Sequence, residues 1–447
     1  MIFRHAISWR LLPALGATAC LVILSASRIA AAAEGKVIDS ATNQPIAAAT
    51  VTVGDEARLS DGGGLFRVAD SDAQILFRAP GYRAAAVTRA ELEKTGTVRL
   101  TPFEPKAVYL TVYGIGYRPI RDAALALPHT TDVNALVIDI KGDRGLIDYP
   151  SAIPLAASIG ARSMTSIPDL AALAKSLHDQ GIYAIARIVV FKDNPLATAR
   201  PDLAVKRENG ELFRDREKLA WTDPFQPEVR DYNIAIAVEA ARAGFDEIQF
   251  DYLRFPDSAE HLRLTKQPTQ AARVEAIAGF LAEAKKRLTP YNVYLAADFF
   301  GYVCWNLDDT GIGQTLAGIA SSADYLSPML YPSGFKFGIP GYKDPVTHPY
   351  EIVRQSLERA RTRLGISPKR FRPWLQAFKD YAFDRRVFDA DEVTAQVRAS
   401  KDFGSDGWML WNARNDYSEI GVADSGGEPP EDTTNQVAAY DVSSACS

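Results

Sequence analysis

Three cysteines in 447 residues are too few for a readable disulfide framework. Cys20 lies inside an N-terminal apolar run rather than after it, which argues against lipid attachment, and Cys304 and Cys446 are far apart in the chain. Histidine is equally sparse. His129, His178, His261 and His348 share none of the spacings that bring two imidazoles to one ion, and Asp308-Asp309 lacks the further spaced oxygen ligands of a metal loop. No metal and no cofactor are therefore expected. Positive charge is not in excess either: 50 Lys and Arg stand against 55 Asp and Glu, a net charge of −5, so there is no basic field to attract nucleic acid. No glycine-rich phosphate loop follows the first long strand, as a nucleotide-binding doubly wound sheet would require. Ser327 and Ser333 have no glycine-flanked nucleophile elbow, which removes a serine hydrolase.

The apolar run from Leu11 to Leu24 is shorter than the ~20 residues a membrane-spanning helix needs. Arg4 and Arg10 precede it, and small residues lead through Ala30 to Ala33 before Glu34. That is the layout of a secretory signal. Residues 1–33 are expected to be removed, leaving an exported chain, periplasmic or extracellular, without a membrane span.

What is present falls into segments. Residues 34–103 are β-branched and turn-punctuated: Val51 and Val53 alternate around Thr52, and Asp61-Gly62-Gly63-Gly64 supplies a tight turn before Phe66. This is the pattern of a small antiparallel sandwich. The pieces GKVIDSATNQPIAAATVTV, SDGGGLFRV and APGY resemble the carboxypeptidase regulatory-like (transthyretin-like) β-sandwich, which implies an accessory or interaction module, one that could serve an envelope partner. Residues 421–447 are acidic and rich in Gly, Ser and Pro, a composition that buries too little apolar surface to offset ordering entropy; a disordered tail is expected.

Between them, residues 104–420 alternate apolar strands with amphipathic helices. Strands are expected at 108–113, 135–140, 184–191, 247–252, 293–299, 325–330, 373–377 and 407–411. Helices are expected at 167–180, 227–243, 269–288, 350–364 and 391–402, with Leu170, Leu173, Ala174 and Leu177 at helical spacing in the first. Eight such repeats predict an α/β fold, a (β/α)₈ TIM barrel behind the N-terminal all-β sandwich.

In such a barrel the active site sits at the C-terminal ends of the strands, so polar residues there are read as functional. The rule selects Asp139 and Lys141 in VIDIKGD, Asp251, Tyr252 and Arg254 in FDEIQFDYLRFP, and Asp298 in YLAADFFGY. It also selects Tyr331 in SPMLYPS, and Trp411 and Asn412 in WMLWNARND, with Trp305 shortly beyond the fifth strand. Asp139 and Lys141 share one face at period two. Asp251 and Asp298 come from adjacent strands about 4.8 Å apart, so their carboxyls fit the ~5 to 9.5 Å used by paired glycosidase carboxylates. Such a pair divides the work, one neutral as proton donor and one ionised as nucleophile or base. Tyr252, Trp305, Tyr331 and Trp411 suit the C–H faces of sugar rings. Structural readings stay open beside these: Asp251 with Arg254 as a salt bridge, Asp139 with Lys141 as a polar layer, and Trp408 and Trp411 as core.

Three stretches, GFDEIQFDYLRFP (244–256), LAADFFGYVCWNLDDTGIGQ (295–314) and ADYLSPMLYPSGF (323–335), resemble the glycoside hydrolases of the DUF4015 type. The resemblance, over roughly 106–415, implies a barrel enzyme acting on O-glycosyl bonds of an oligosaccharide or polysaccharide. The same strand is more distantly similar to the fourth strand of chitinase-type barrels, which ends in a catalytic glutamate. There Gln249 replaces one acid, Asp251 keeps the next, and Leu253 stands at the glutamate, so the proton donor is expected on another strand, at Asp298. A non-catalytic carbohydrate-binding or envelope scaffold protein is the alternative, and acyl transfer on a glycan ranks last.

Overall fold

The computed structural model describes residues 33–69, 73–418 and 420–421. The expected signal segment up to residue 32 and the expected tail from 422 lie outside the described residues.

At the N-terminus two small sheets face each other. One is three-stranded, with Ala33–Asp39 between Leu65–Val68 and Thr97–Leu100, and the other has four strands in the order Glu56–Leu59, Thr50–Val53, Ile75–Arg78 and Ala85–Val87. Alternate residues Val37, Val51, Phe66, Phe77, Val98 and Leu100 make one shared core. The Asp61 turn expected from the sequence is held by its own carboxylate, which accepts from the amides of Gly63 and Leu65 at 2.8 Å each.

The rest of the described chain is a closed barrel of eight parallel strands. They are β1 (Lys106–Leu110), β2 (Ala135–Lys141), β3 (Tyr183–Val189), β4 (Glu247–Asp251), β5 (Tyr294–Phe300), β6 (Tyr325–Met329), β7 (Trp374–Gln376) and β8 (Trp408–Trp411). Around them run α1 (Leu170–Asp179), α2 (Pro227–Ala243), α3 (Gln270–Leu288), α4 (Pro349–Leu364) and α5 (Ala390–Phe403), with shorter helical turns between. The strand alternation builds two cores. Inward Ala107, Tyr109, Val137, Ile185, Ala296 and Met409 fill the barrel, while outward Val108, Leu136, Ala184, Ile248, Leu295 and Leu410 pack under the helices.

All eight expected strands and all five expected helices are present, with ends shifted by a few residues. Among the strands the largest shift is at β1, expected to reach Tyr113 but ending at Leu110. There Thr111 turns its hydroxyl to the amide of Gly114 at 2.9 Å and caps a short helix, Val112–Gly116, because a threonine N-cap satisfies donors that a strand would leave unpaired.

The small sheets sit on the end of the barrel where the strands begin. Tyr294, first residue of β5, donates to the carbonyl of Tyr82 at 2.7 Å and accepts from the Ala79 amide at 3.2 Å. Tyr325, first residue of β6, accepts from Gly81 at 3.1 Å, and Arg78 lies 3.6 Å from Asp324 with both side chains buried. Just inside, Arg372 grips both oxygens of Glu247 at 2.8 and 2.6 Å and reaches Asp406 at 3.3 Å. This plug leaves the opposite end, where the strands finish, for chemistry.

Candidate active site

The side chain that organises the strand ends is Arg187, in the middle of β3 and fully buried. Its Nη1 donates to Asp139 at 2.5 Å, its Nε and Nη2 to Asp251 at 3.1 and 2.6 Å, and Nη2 also to Asp143 at 3.0 Å. Tyr109 on β1 closes the ring, its hydroxyl donating to Asp139 at 2.6 Å. One guanidinium thus holds three carboxylates through its planar fork, which no lysine could match. Sequence reasoning missed Arg187 because it sits in the apolar run YAIARIVVF; the available signal was a charge two residues after inward Ile185.

Burial drives the protonation states here. Desolvation pushes the carboxyl of Asp139 up to about 7 although the Arg187 guanidinium pulls it down. Asp298 is pushed well above the usual carboxylate range, first by complete burial and then by the charge of Asp251. Its Oδ1 accepts from Trp374 Nε1 at 2.8 Å, and its Oδ2 has no hydrogen-bond partner in the described structure. The register of β4 against β5 pairs Phe250 with Ala297, which brings Asp298 to the level of Asp251, as the spacing of neighbouring strands predicts.

A cavity of about 260 Å³ opens above this floor. Asp251, Asp143 and Arg187 line its base, and Tyr252, Tyr331, Trp411 and Arg254 line its walls. Trp411 stacks on Tyr109 with ring centres 4.0 Å apart and 11° between planes, and the Arg187 guanidinium lies 4.8 Å from its ring centre. Aromatic residues that the sequence did not single out add Phe300 at the end of β5 and Tyr302, Phe335 and Phe337 in the loops after β5 and β6. Phe337 is 92% exposed at this rim. Tyr252 takes φ 49°, a left-handed conformation costly for an aromatic residue, and its amide donates to Asp251 Oδ1 at 2.5 Å.

The strand ends do not gather every expected residue. Asp298, with no exposed surface, lies beneath the cavity and not on its wall. Lys141 does not share the face of Asp139: a bulge pairs Arg187 with Asp139 but the next residue, Ile188, with Lys141. The extra residue turns Lys141 outward, where it bonds Asp193 at 2.8 Å, Asn233 of α2 at 2.9 Å and the Val189 carbonyl at 2.6 Å. Trp305 is carried by the turn Gly301–Cys304 onto α4, donating to Ser356 at 2.9 Å, and is not in the cavity wall. Asn412 ties the loop after β8 through the carbonyls of Ala377 and Asp416, both at 2.7 Å. Trp408 faces the outer core. Arg254 pairs with Asp257 at 3.3 Å and not with Asp251, whose partner is Arg187. β4 ends at Asp251 while Leu253 is wholly buried in the outer core, so the acid at this strand end is Asp251 itself.

Because burial favours the uncharged form of Asp298 and a carboxyl is nearly isosteric with an amide, Asp298→Asn is expected to retain turnover within about 10-fold of wild type. A loss on the order of 10² or more, the scale of a missing proton donor, would restore the donor role that strand position alone suggested.

Among the described residues, no group of three or more His, Cys, Asp or Glu side chains could hold a metal ion, and no helix is long and apolar enough to cross a membrane. Residues 107–417 match the family DUF4015, described as a putative glycosyl hydrolase domain. A hypothetical protein from Ruminiclostridium thermocellum ATCC 27405 is 38% identical, over 43% of this chain and 96% of that one, with a TM-score of 0.38. The PgaB (BpsB) glycoside hydrolase domain from Bordetella bronchiseptica is 16% identical, over 70% of this chain and 95% of that one, with a TM-score of 0.50. A comparison with curated proteins gave no match.

Proposed function

The chain belongs to the DUF4015 family of glycosyl hydrolase domains, and from that premise we propose that it hydrolyses a glycosidic bond of an oligosaccharide or polysaccharide at the Asp251 end of the barrel. One observation carries the mechanism. Asp143 and Asp251 both bond the same nitrogen, Arg187 Nη2, at 3.0 and 2.6 Å, so those two oxygens lie no more than 5.6 Å apart. Both line the cavity. That ceiling lies below the ~6.5 to 9.5 Å that seats the water of an inverting glycosidase and accommodates the ~5 to 5.5 Å of a retaining one.

Asp251, held by Arg187 and by the Tyr252 amide, is the nucleophile. Asp143 has a single contact to the guanidinium and a side chain 29% exposed, so it is placed to move its proton. In the first step Asp143 protonates the leaving oxygen as the Asp251 oxygen bonds the anomeric carbon and the glycosidic C–O bond breaks. In the second, Asp143 takes a proton from water, whose oxygen displaces Asp251. Asp298, kept neutral below, spares Asp251 an anionic neighbour on that side.

Product configuration tests this. A glycan-panel screen is expected to yield a substrate whose first-formed product, followed by proton NMR before mutarotation, keeps the anomeric configuration of the bond cleaved. Inversion would remove Asp143 from its role. Binding without turnover on any glycan would favour the scaffold reading instead. The layout of Arg4, Arg10 and the apolar run to Leu24 supports export, and the resemblance of residues 34–103 to the carboxypeptidase regulatory-like type supports an accessory role for the N-terminal sheets, open to an envelope partner.

A further inference from the structure

Arg187 and Arg254 both line the cavity, yet their donors differ in what they meet. Carboxylates engage all three nitrogens of Arg187. Arg254 uses only Nη1, which donates to the Phe255 carbonyl at 3.0 Å and to Asp257 at 3.3 Å. Asp257 is 75% exposed, so that ion pair contributes little. Among the described residues nothing accepts from Arg254 Nε or Nη2, and neither atom is sealed from solvent. These two are the parallel N–H edge that a carboxylate fits bidentately. The edge is also held rigidly: the guanidinium carbon lies 4.9, 5.7 and 5.9 Å from the ring centres of Trp221, Tyr252 and Phe300. Little rotamer freedom is left to lose on binding.

A second cation lines the same cavity. Lys336 is exposed, and of the charged side chains lining the cavity it is the one with no ion pair among the described residues. The acidic members Asp143, Asp251 and Asp257 each already face a guanidinium. Asp143 and Asp251 share the one Arg187 guanidinium at the floor, whereas above it Arg254 and Lys336 face the single carboxylate Asp257, an excess of one positive charge on that side. A neutral glycan would leave the Arg254 edge to water, and an amino sugar would meet both cations unfavourably.

We propose that this cleft selects a carboxylated glycan, one built with uronic acid residues, and that Arg254 receives a uronate carboxylate through Nε and Nη2 while Lys336 adds a second positive charge. The location of this subsite beside the cleaved bond rests on the glycoside hydrolase reading; the recognition itself does not.

The test is calorimetric binding to the full chain, at low temperature and moderate salt. The probes are oligogalacturonate, oligomannuronate and chondroitin oligosaccharides, each beside its carboxyl-reduced neutral counterpart, with sulfated carrageenan and chitosan oligosaccharides as further arms. At least one uronate probe is expected to bind 10- to 100-fold more tightly than its reduced form, the span of one charge-assisted contact. Arg254→Gln is expected to erase that ratio, Arg254→Lys to restore part of it, and Lys336→Gln to weaken the uronate probe and not the reduced one. Circular dichroism shows that each variant is folded. The proposal is overturned if no uronate probe binds, if the carrageenan, chitosan or a neutral probe binds best, or if the ratio survives Arg254→Gln. Because binding is read without turnover, a protein that binds uronates through Arg254 but cleaves nothing keeps this proposal and sinks the hydrolase reading.

Discussion

Asp251→Asn is expected to lower kcat by roughly 10³-fold or more, the scale on which a positioned catalytic carboxylate acts, while KM and the folded state change little. Asparagine keeps the shape and one oxygen to accept from Arg187, but it cannot form a stable bond to an anomeric carbon. The fold should tolerate the change because Asp139 and Asp143 still face the guanidinium at 2.5 and 3.0 Å. The measurement is kcat and KM on the glycan found by the screen, beside a thermal melt. Retention of more than a tenth of wild-type turnover would remove Asp251 from the chemistry. The smaller Asp251→Ala separates the two roles a carboxylate can have here. Added azide should restore product release as a glycosyl azide of inverted configuration if Asp251 is the nucleophile; a rescued product of retained configuration would make it the acid instead.

Arg187→Met should be the most destabilising single change at this end of the barrel. It leaves Asp139 and Asp251, with side chains 2% and 9% exposed, facing Asp143 with no countercharge. Removing one partner from a buried ionic cluster costs about 3–5 kcal/mol. Lysine should recover only part, since one ammonium cannot span three carboxylates. The loss should depend on pH in a definite sense. A carboxyl whose folded pKa is raised, as burial raises Asp139 to about 7, holds its proton more firmly in the folded chain than in the unfolded one, where it titrates near ~3.9. Stability tied to it is present below that lower value and is lost as pH rises through the folded one. Without Arg187 this window widens, so the defect should be largest near pH 8 and shrink towards pH 5. Guanidinium chloride midpoints at both pH values measure it; a defect that grows on acidification would contradict the ionic account.

The parts legible in the chain were those with local causes. The helix expected at 227–243 forms as Pro227–Ala243, because proline at its first position and Gly244 in the left-handed region after it mark both ends. The alternation of apolar strands with helical segments placed all eight barrel strands within a few residues. Strand order then put Asp251 at the catalytic end. Asp143, by contrast, sits in a loop after β2 and carries no pattern, and Arg187 was hidden among apolar neighbours. Both acquire meaning only when β2, β3 and β4 lie side by side.

Sequence alone therefore determined the element types, the eightfold alternation and the approximate end of each strand, since these follow from propensities and periods within a few residues. The tertiary structure alone decided which end residues line the cavity. A single bulge beside Arg187 sent Lys141 outward, barrel closure sank Asp298 beneath the floor, and one turn swung Trp305 onto α4. Register, depth and loop path are set by contacts between residues distant in the chain, and no local pattern encodes them.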